Sequence, residues 1–181
     1  MLCEEPPFMH FPALTSARIR RAVSIVMTLI AALGLHAPSQ AAGDGPPAAP
    51  PGCTGPASQT WLGVVVEGVR DAKGQIAITL YPDDSSRFLV HNGSLYVGRT
   101  PAIAGTTRGC IFLPKPGVYV VAIYHDENGN GSFDRSSLGL PIEAYGFSNN
   151  PATLLGLPSF RSIRLNAARS GLTTHIQLHY P

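Results

Sequence analysis

Charge is scarce in this 181-residue chain: Asp, Glu, Lys and Arg make up 13% of it, and the formal net charge is +2. That excludes a nucleic-acid binder, which clusters Lys and Arg on one face. No apolar run approaches the roughly 20 residues of a transmembrane helix. There is no C-x-x-C pair, which argues against a structural zinc site. There is no G-x-S-x-G, so Ser148 is weakly supported as a hydrolase nucleophile. Internal repeats are lacking too. Long uninterrupted helices are excluded by what is abundant, since 19 Gly and 17 Pro leave no room for a coiled coil or helical bundle. The β-branched and aromatic content is too high for a disordered chain.

Three segments divide the sequence. Arg18, Arg20 and Arg21 precede the uncharged stretch Ala22–Leu35, and small residues follow in Ser39-Gln40-Ala41-Ala42. A basic region, a short apolar run and a small-x-small site read as a secretory signal over 1–41, cleaved after Ala41. An uncleaved membrane anchor is the alternative reading. No Cys follows the apolar run directly, which argues against a lipoprotein. Residues 42–58 are a Pro/Ala/Gly-rich linker. A folded domain occupies 59–181, close to the commonest domain size. Export places the protein in the periplasm or outside the cell. There Cys53 and Cys110, left after Cys3 departs with the signal, are expected to pair. The bridge would close a long loop and stabilise the fold by roughly 4 kcal/mol on chain-entropy grounds. Two free thiols remain the alternative.

Within the domain the hydrophobic period is two. Gln75–Tyr81 puts Ile76, Ile78 and Leu80 on one face; Thr173–Tyr180 aligns Thr174, Ile176, Leu178 and Tyr180. Val118–Tyr124 is almost wholly apolar, as expected of a central strand covered on both faces. Trp61–Val69, Cys110–Leu113 and, more weakly, Phe160–Leu165 complete the set. A brief helix capped by Ser85 fits Asp84–Val90. Turn signals separate the runs at Ala72-Lys73-Gly74, His91-Asn92-Gly93, Pro114–Gly117 and Ala168–Gly171. The fold expected is all-β: an antiparallel sandwich of about seven strands, with a long irregular loop over one end.

The stretch His125-Asp126-Glu127-Asn128-Gly129-Asn130-Gly131-Ser132-Phe133-Asp134 carries the most chemistry. Asp126, Asn128 and Asn130 alternate, Gly131 permits a sharp turn, and Ser132 offers a backbone carbonyl. This D-x-N-x-N-G order matches the first half of a calcium loop. The second half departs: Ser137 stands where a bidentate Glu is needed. Asp134 would compensate, or Glu143 would fold back across the bend at Gly139 and Pro141. Affinity would be modest, in the class of extracellular modules. The alternative is that Asp and Asn only build consecutive turns, with Gly129 and Gly131 at positive φ. Downstream, the long irregular segment through Tyr145, Phe147, Ser148, Asn149 and Asn150 is expected to pack over the sandwich and shape a groove beside the Asp loop, with His125 at its edge.

Pro116–Ala122, His125–Asp134, Leu138-Gly139-Leu140-Pro141, Glu143, Tyr145–Asn150 and Leu157–Phe160 together resemble the bacterial domain of unknown function family number 2141. The resemblance covers about Trp61 to Tyr180, and the pairing of H-D-x-N-x-N-G with G-F-S-N-N is its specific element. It implies export and a β-sandwich of transthyretin-like or carboxypeptidase-regulatory-like type. It implies no known activity and carries over no catalytic residues. Lys often follows the last Gly of the loop in such proteins; here it is Ser132.

His175 and His179 share a strand face about 13 Å apart, too far to chelate one metal. His125 is read as an end-of-strand residue orienting the loop, and Trp61 as a core residue. With no complete catalytic set, the expected function is a non-catalytic binding or accessory module for an envelope or extracellular ligand, with Ca²⁺ as its possible cofactor. The alternatives are a metal-dependent hydrolase of envelope polymers, with His125, Asp126, Asp134 and Glu143 lining its site, and a structural or chaperone-like protein pairing through an edge strand.

Overall fold

The computed structural model of the protein describes residues 45–152 and 157–181. The signal read over 1–41 and the first residues of the linker lie outside these. The described residues form eight strands: β1 (Thr60–Val69), β2 (Gln75–Pro82), β3 (Tyr96–Pro101), β4 (Gly105–Leu113), β5 (Gly117–Asp126), β6 (Tyr145–Phe147), β7 (Arg164–Ala167) and β8 (Leu172–Gln177). Two sheets result. One has three strands in the order β4-β1-β8; the other has five, with β3-β2-β5-β6 in line and β7 also pairing β5. The all-β sandwich is as expected, with one more strand than the estimate.

The alternation sorts side chains between the sheets. Leu62, Val64 and Val66 of β1 and Ile111 and Leu113 of β4 face Ile76, Ile78 and Leu80 of β2 and Val121 and Ile123 of β5, all essentially inaccessible to water. Burying each such side chain contributes about 1.5–3 kcal/mol. The sheets pack closely enough that a Cβ on Gly109 would lie 2.5 Å from Ile78 Cδ1. β5 is the central strand its apolar sequence predicts, flanked by β2 on one side and by β6 and β7 on the other.

Several local expectations are corrected. β1 and β8 pair in parallel, whereas the other pairings are antiparallel. Phe160–Ile163 is a 3₁₀ turn rather than the start of a strand, with Ser162 N–H and Oγ both donating to the Ser159 carbonyl. The helix at Asp84 shrinks to Ser85–Arg87, and Asp84, not Ser85, caps it by accepting from Ser86 N–H. β8 ends at Gln177 because the chain then switches sheets: Leu178 N–H still bonds Glu67 of β1, while His179 exchanges two hydrogen bonds with Tyr145 of β6. His175 and His179 therefore do not share a strand.

Trp61 is not in the core. It lies on the outer face of the three-stranded sheet, where its indole N–H donates to the Pro47 carbonyl at 2.8 Å. The end of the Pro-rich segment follows the sheet as well. Thr54 bridges Ile111, Thr54 N–H donates to the Cys110 carbonyl, and a disulfide joins Cys53 to Cys110.

Candidate functional site

The outer face of the five-stranded sheet is not a bare polar surface. Tyr81, Val120, Ala122, Phe147 and Ile163 form a second buried apolar cluster there, with Phe88, Tyr145 and Phe160 packed on it. They reach that face because odd and even positions of β2 and β5 point oppositely. Aromatic rings run edge-on across it, from Tyr81 to Phe88 to Phe147, then Tyr145, Phe133 and Tyr124, with successive centroids 5.4–6.1 Å apart. This arrangement suits the ring quadrupoles.

A groove of about 950 Å³ opens along this row. Its floor is Thr79, Tyr81, Val97, Ala122, Tyr124, Tyr145 and Phe147, and its walls are Leu89 and Val90 on one side and Phe133, Leu140, Pro141 and Leu157 on the other. Val90, Leu140 and Leu157 remain 50%, 62% and 57% exposed, so apolar surface faces water along the rim. The volume is that of a small-molecule site. Arg135 and His91 supply the ionisable nitrogens of the lining, and no carboxylate belongs to it. The Arg135 guanidinium lies 4.9 Å above the Phe133 ring and donates to the Gly139 carbonyl at 3.0 Å.

Phe133 and Arg135 emerge from the Asp loop, which ties loop and groove into one region. Asp126 ends β5 and is fully buried. Its carboxylate accepts from the backbone N–H groups of Asn130 and Gly131 and from Gln75 Nε2 at 2.9–3.0 Å. Burial pushes its pKa up, but the bonds from Gln75, Gly131, Gly129 and Asn130 outweigh this and hold it below the usual 3.8. Asn128 and Asn130 each accept from the N–H two residues on, and their amides donate to Asp134 at 2.7–3.0 Å. Gly129 and Gly131 take φ of +70° and +78°, as chained turns require. Ser132 contributes its N–H to the Asn130 side chain.

Glu143 folds back to the loop, as the bend after Gly139 suggested. Its Oε2 accepts from Asp134 N–H at 3.0 Å, and its Oε1 is buried with no hydrogen-bond partner among the described residues. Burial, then the neighbouring Asp134 and Asp126 carboxylates, raises its pKa above 4.5 against the pull of backbone N–H groups. Among the described residues, no three His, Cys, Asp or Glu side chains stand in metal-holding geometry. A cation bound here would draw on the Asn and backbone oxygens and would displace the Asn amide hydrogens from Asp134.

The other expected site residues lie elsewhere. His125, fully buried, points inward from β5. Its Nε2 faces the Lys73 carbonyl at 2.8 Å and so carries the proton, leaving Nδ1 to accept from the Tyr180 hydroxyl at 2.9 Å. His125 and Asp126 thus project to opposite faces of one strand. Ser148 is buried; it accepts from Val121 N–H and donates to the Ile163 carbonyl. Asn149 donates to the Ser162 and Arg164 carbonyls. Asn150 donates to the His175 carbonyl and accepts from Gln177 N–H, occupying the free edge of β8. Ser148 and Asn149 thus tie the five-stranded sheet to the 3₁₀ turn and β7, Asn150 reaches across to β8 of the other sheet, and of the expected groove residues only Tyr145 and Phe147 line it. Tyr81, Tyr124, Phe133 and Arg135 were missed. Tyr81 and Tyr124 carried a readable signal, large side chains on the strand face opposite the core.

The family model for uncharacterized proteins conserved in bacteria (DUF2141) matches residues 64–175, and the chain belongs to that family. No curated protein and no solved structure matches it.

Proposed function

We propose that this member of a bacterial family of uncharacterized proteins is an exported, non-catalytic binding module whose ligand lies in the groove on the outer face of the five-stranded sheet. One observation carries the reading: a site-sized concavity lined mainly by aromatic and aliphatic side chains, with its apolar rim exposed to water. Export rests on the signal-like segment and on the Cys53–Cys110 disulfide, which belongs to oxidising compartments. The hydrolase alternative gains less support, because His125 and Asp126 face apart and His125 is sealed in the core. Edge-strand pairing gains little at β8, which Asn150 already occupies. The test is amide chemical-shift mapping of the protein with an alkyl carboxylate, a cello-oligosaccharide and an extended peptide. Shifts concentrated at Tyr81, Val97, Ala122, Tyr124 and Tyr145 support the groove; binding that moves only other residues overturns it.

A second reading rests on Glu143. A buried, unpartnered carboxylate oxygen beside Asp134 and Asp126 is what a divalent cation would relieve, and Ca²⁺ is the hard ion suited to such oxygen donors. Asp126, Asn128, Asn130, Asp134, Glu143 and the Ser132 carbonyl would supply the ligands. Calorimetric titration with CaCl₂ tests it: saturable millimolar-range binding that raises the melting temperature, and is lost in Asp134→Ala and Glu143→Gln, supports the site. No heat at 10-fold molar excess over that range reduces the loop to turn chemistry.

A further inference from the structure

The groove floor is a sheet face, and this limits what can lie on it. Thr79, Ala122 and Phe147 sit in strands whose backbone groups are already spent in the β3-β2-β5-β6 ladders. A peptide laid there would bury its own N–H and C=O groups without partners, and a glycan its hydroxyls, each at a desolvation cost. A chain of methylenes has no such groups to satisfy. At one end stands a single permanent charge, Arg135, which forms no ion pair among the described residues. Its guanidinium is held by the Phe133 ring and the Gly139 carbonyl, and one bond leaves most of its five N–H donors available. No carboxylate of the lining competes for them.

We infer that the groove takes the alkyl chain of an anionic single-chain amphiphile, a long-chain carboxylate, with its head group on Arg135. This rests on the groove being the ligand face and names the ligand class it accepts. The aromatic row from Phe147 to Phe133 forms the bed of the chain, and the exposed Leu140 and Leu157 close on it from the rim.

The probes are dodecanoate, tetradecanoate, tetradecanol and tetradecyltrimethylammonium, each titrated below its micelle concentration into the protein as processed on expression. Calorimetry and amide shifts are read together. Tetradecanoate should bind in the groove, tighter than dodecanoate by up to about fourfold per methylene. Arg135→Gln should weaken tetradecanoate on the order of tenfold while leaving tetradecanol unchanged, since a charge-assisted bond is lost and the apolar bed is not. Leu140→Asp, on the exposed rim, should weaken the carboxylate further than the alcohol by like-charge repulsion. Equal affinity for carboxylate and alcohol, tighter binding of the ammonium, or no effect of Arg135→Gln overturns the head-group assignment. If an oligosaccharide or peptide moves the groove amides and no alkyl compound does, the amphiphile is wrong and the groove stands. If no probe moves them, both fall.

Discussion

At the scale of single residues, two buried oxygens are held at opposite ends of satisfaction. Tyr96 carries a buried hydroxyl with no partner among the described residues, and burial, then Tyr119, pushes its pKa up to about 12. Removing that hydroxyl removes an unpaid desolvation cost, so Tyr96→Phe should be neutral or stabilising by about 1 kcal/mol in chemical denaturation. Asp126 is the reverse case, a buried carboxylate saturated by donors. Its folded pKa lies below its unfolded one, so its stabilisation is present above about pH 4 and is lost as pH falls through the folded value. Glu143 has its pKa raised, so its contribution is full below the unfolded value and is lost as pH rises through the folded one. In EDTA, Asp126→Asn should therefore cost about 1–3 kcal/mol at neutral pH and flatten the acid limb of the stability profile. Glu143→Gln should cost nothing or stabilise slightly at neutral pH and lose that advantage near pH 4. Matched signs for the two variants across the profile would refute this account of the loop.

At the scale of elements, the Ser148-Asn149-Asn150 turn acts as a clamp. Asn149 and Asn150 sit at φ of +67° and +46°, a conformation Asn tolerates better than most residues, and Asn150 substitutes for a neighbouring strand along β8. Asn150→Ala unpairs the His175 carbonyl and the Gln177 N–H. It should lower global stability by about 1–2 kcal/mol and speed hydrogen exchange at Gln177 more than at β2. Unchanged exchange at Gln177 would mean the clamp is incidental. The sequence pattern had singled out this motif but assigned it to the groove, because an Asn that mimics a strand and an Asn that binds a ligand look alike without the fold. Ile76, Ile78 and Leu80 were legible as one core face because the seven residues Gln75–Tyr81 alternate cleanly enough to fix the period. Phe160–Leu165 was not: a six-residue window with Ser at its centre fits a 3₁₀ turn equally well. The parallel direction of β8 was hidden for another reason, since inward-facing Thr174 and Ile176 give the same alternation in either orientation. The groove draws its lining from β2, β3, β5, β6 and the loops beyond them, segments that only the sheet order brings together.

At the scale of the whole molecule, the described chain spends its outer sheet faces unequally. The approach segment covers part of the three-stranded sheet's outside: Pro47 accepts from Trp61 and lies 2.8 Å, by its Cγ, from where a Cβ on Gly171 would stand, and Thr54 pairs with the edge of β4, while Thr173 and His175 of β8 stay exposed. The five-stranded sheet carries the apolar groove on its outer face, which is the side where the proposed ligand would lie. The disulfide ties that approach segment to β4. Cys53 and Cys110 are 57 residues apart in sequence, and the enclosed chain includes β1, β2 and β3. On loop-entropy grounds its removal should cost roughly 4 kcal/mol. Thr79, Tyr81 and Val97 of the groove lie inside that loop and its β5 and β6 residues outside it, so the loss should fall on global stability and, first, on the approach segment that the bridge ties down. Reduction, or the Cys53→Ser/Cys110→Ser pair, should therefore lower the melting temperature by on the order of 10–20 °C, at about 3–5 °C per kcal/mol for a domain between the small and medium size classes. Indole fluorescence should report release of Trp61 from Pro47 ahead of the main transition. Simultaneous loss of the Trp61 signal and of alkyl-carboxylate binding would show instead that the two faces melt as one unit.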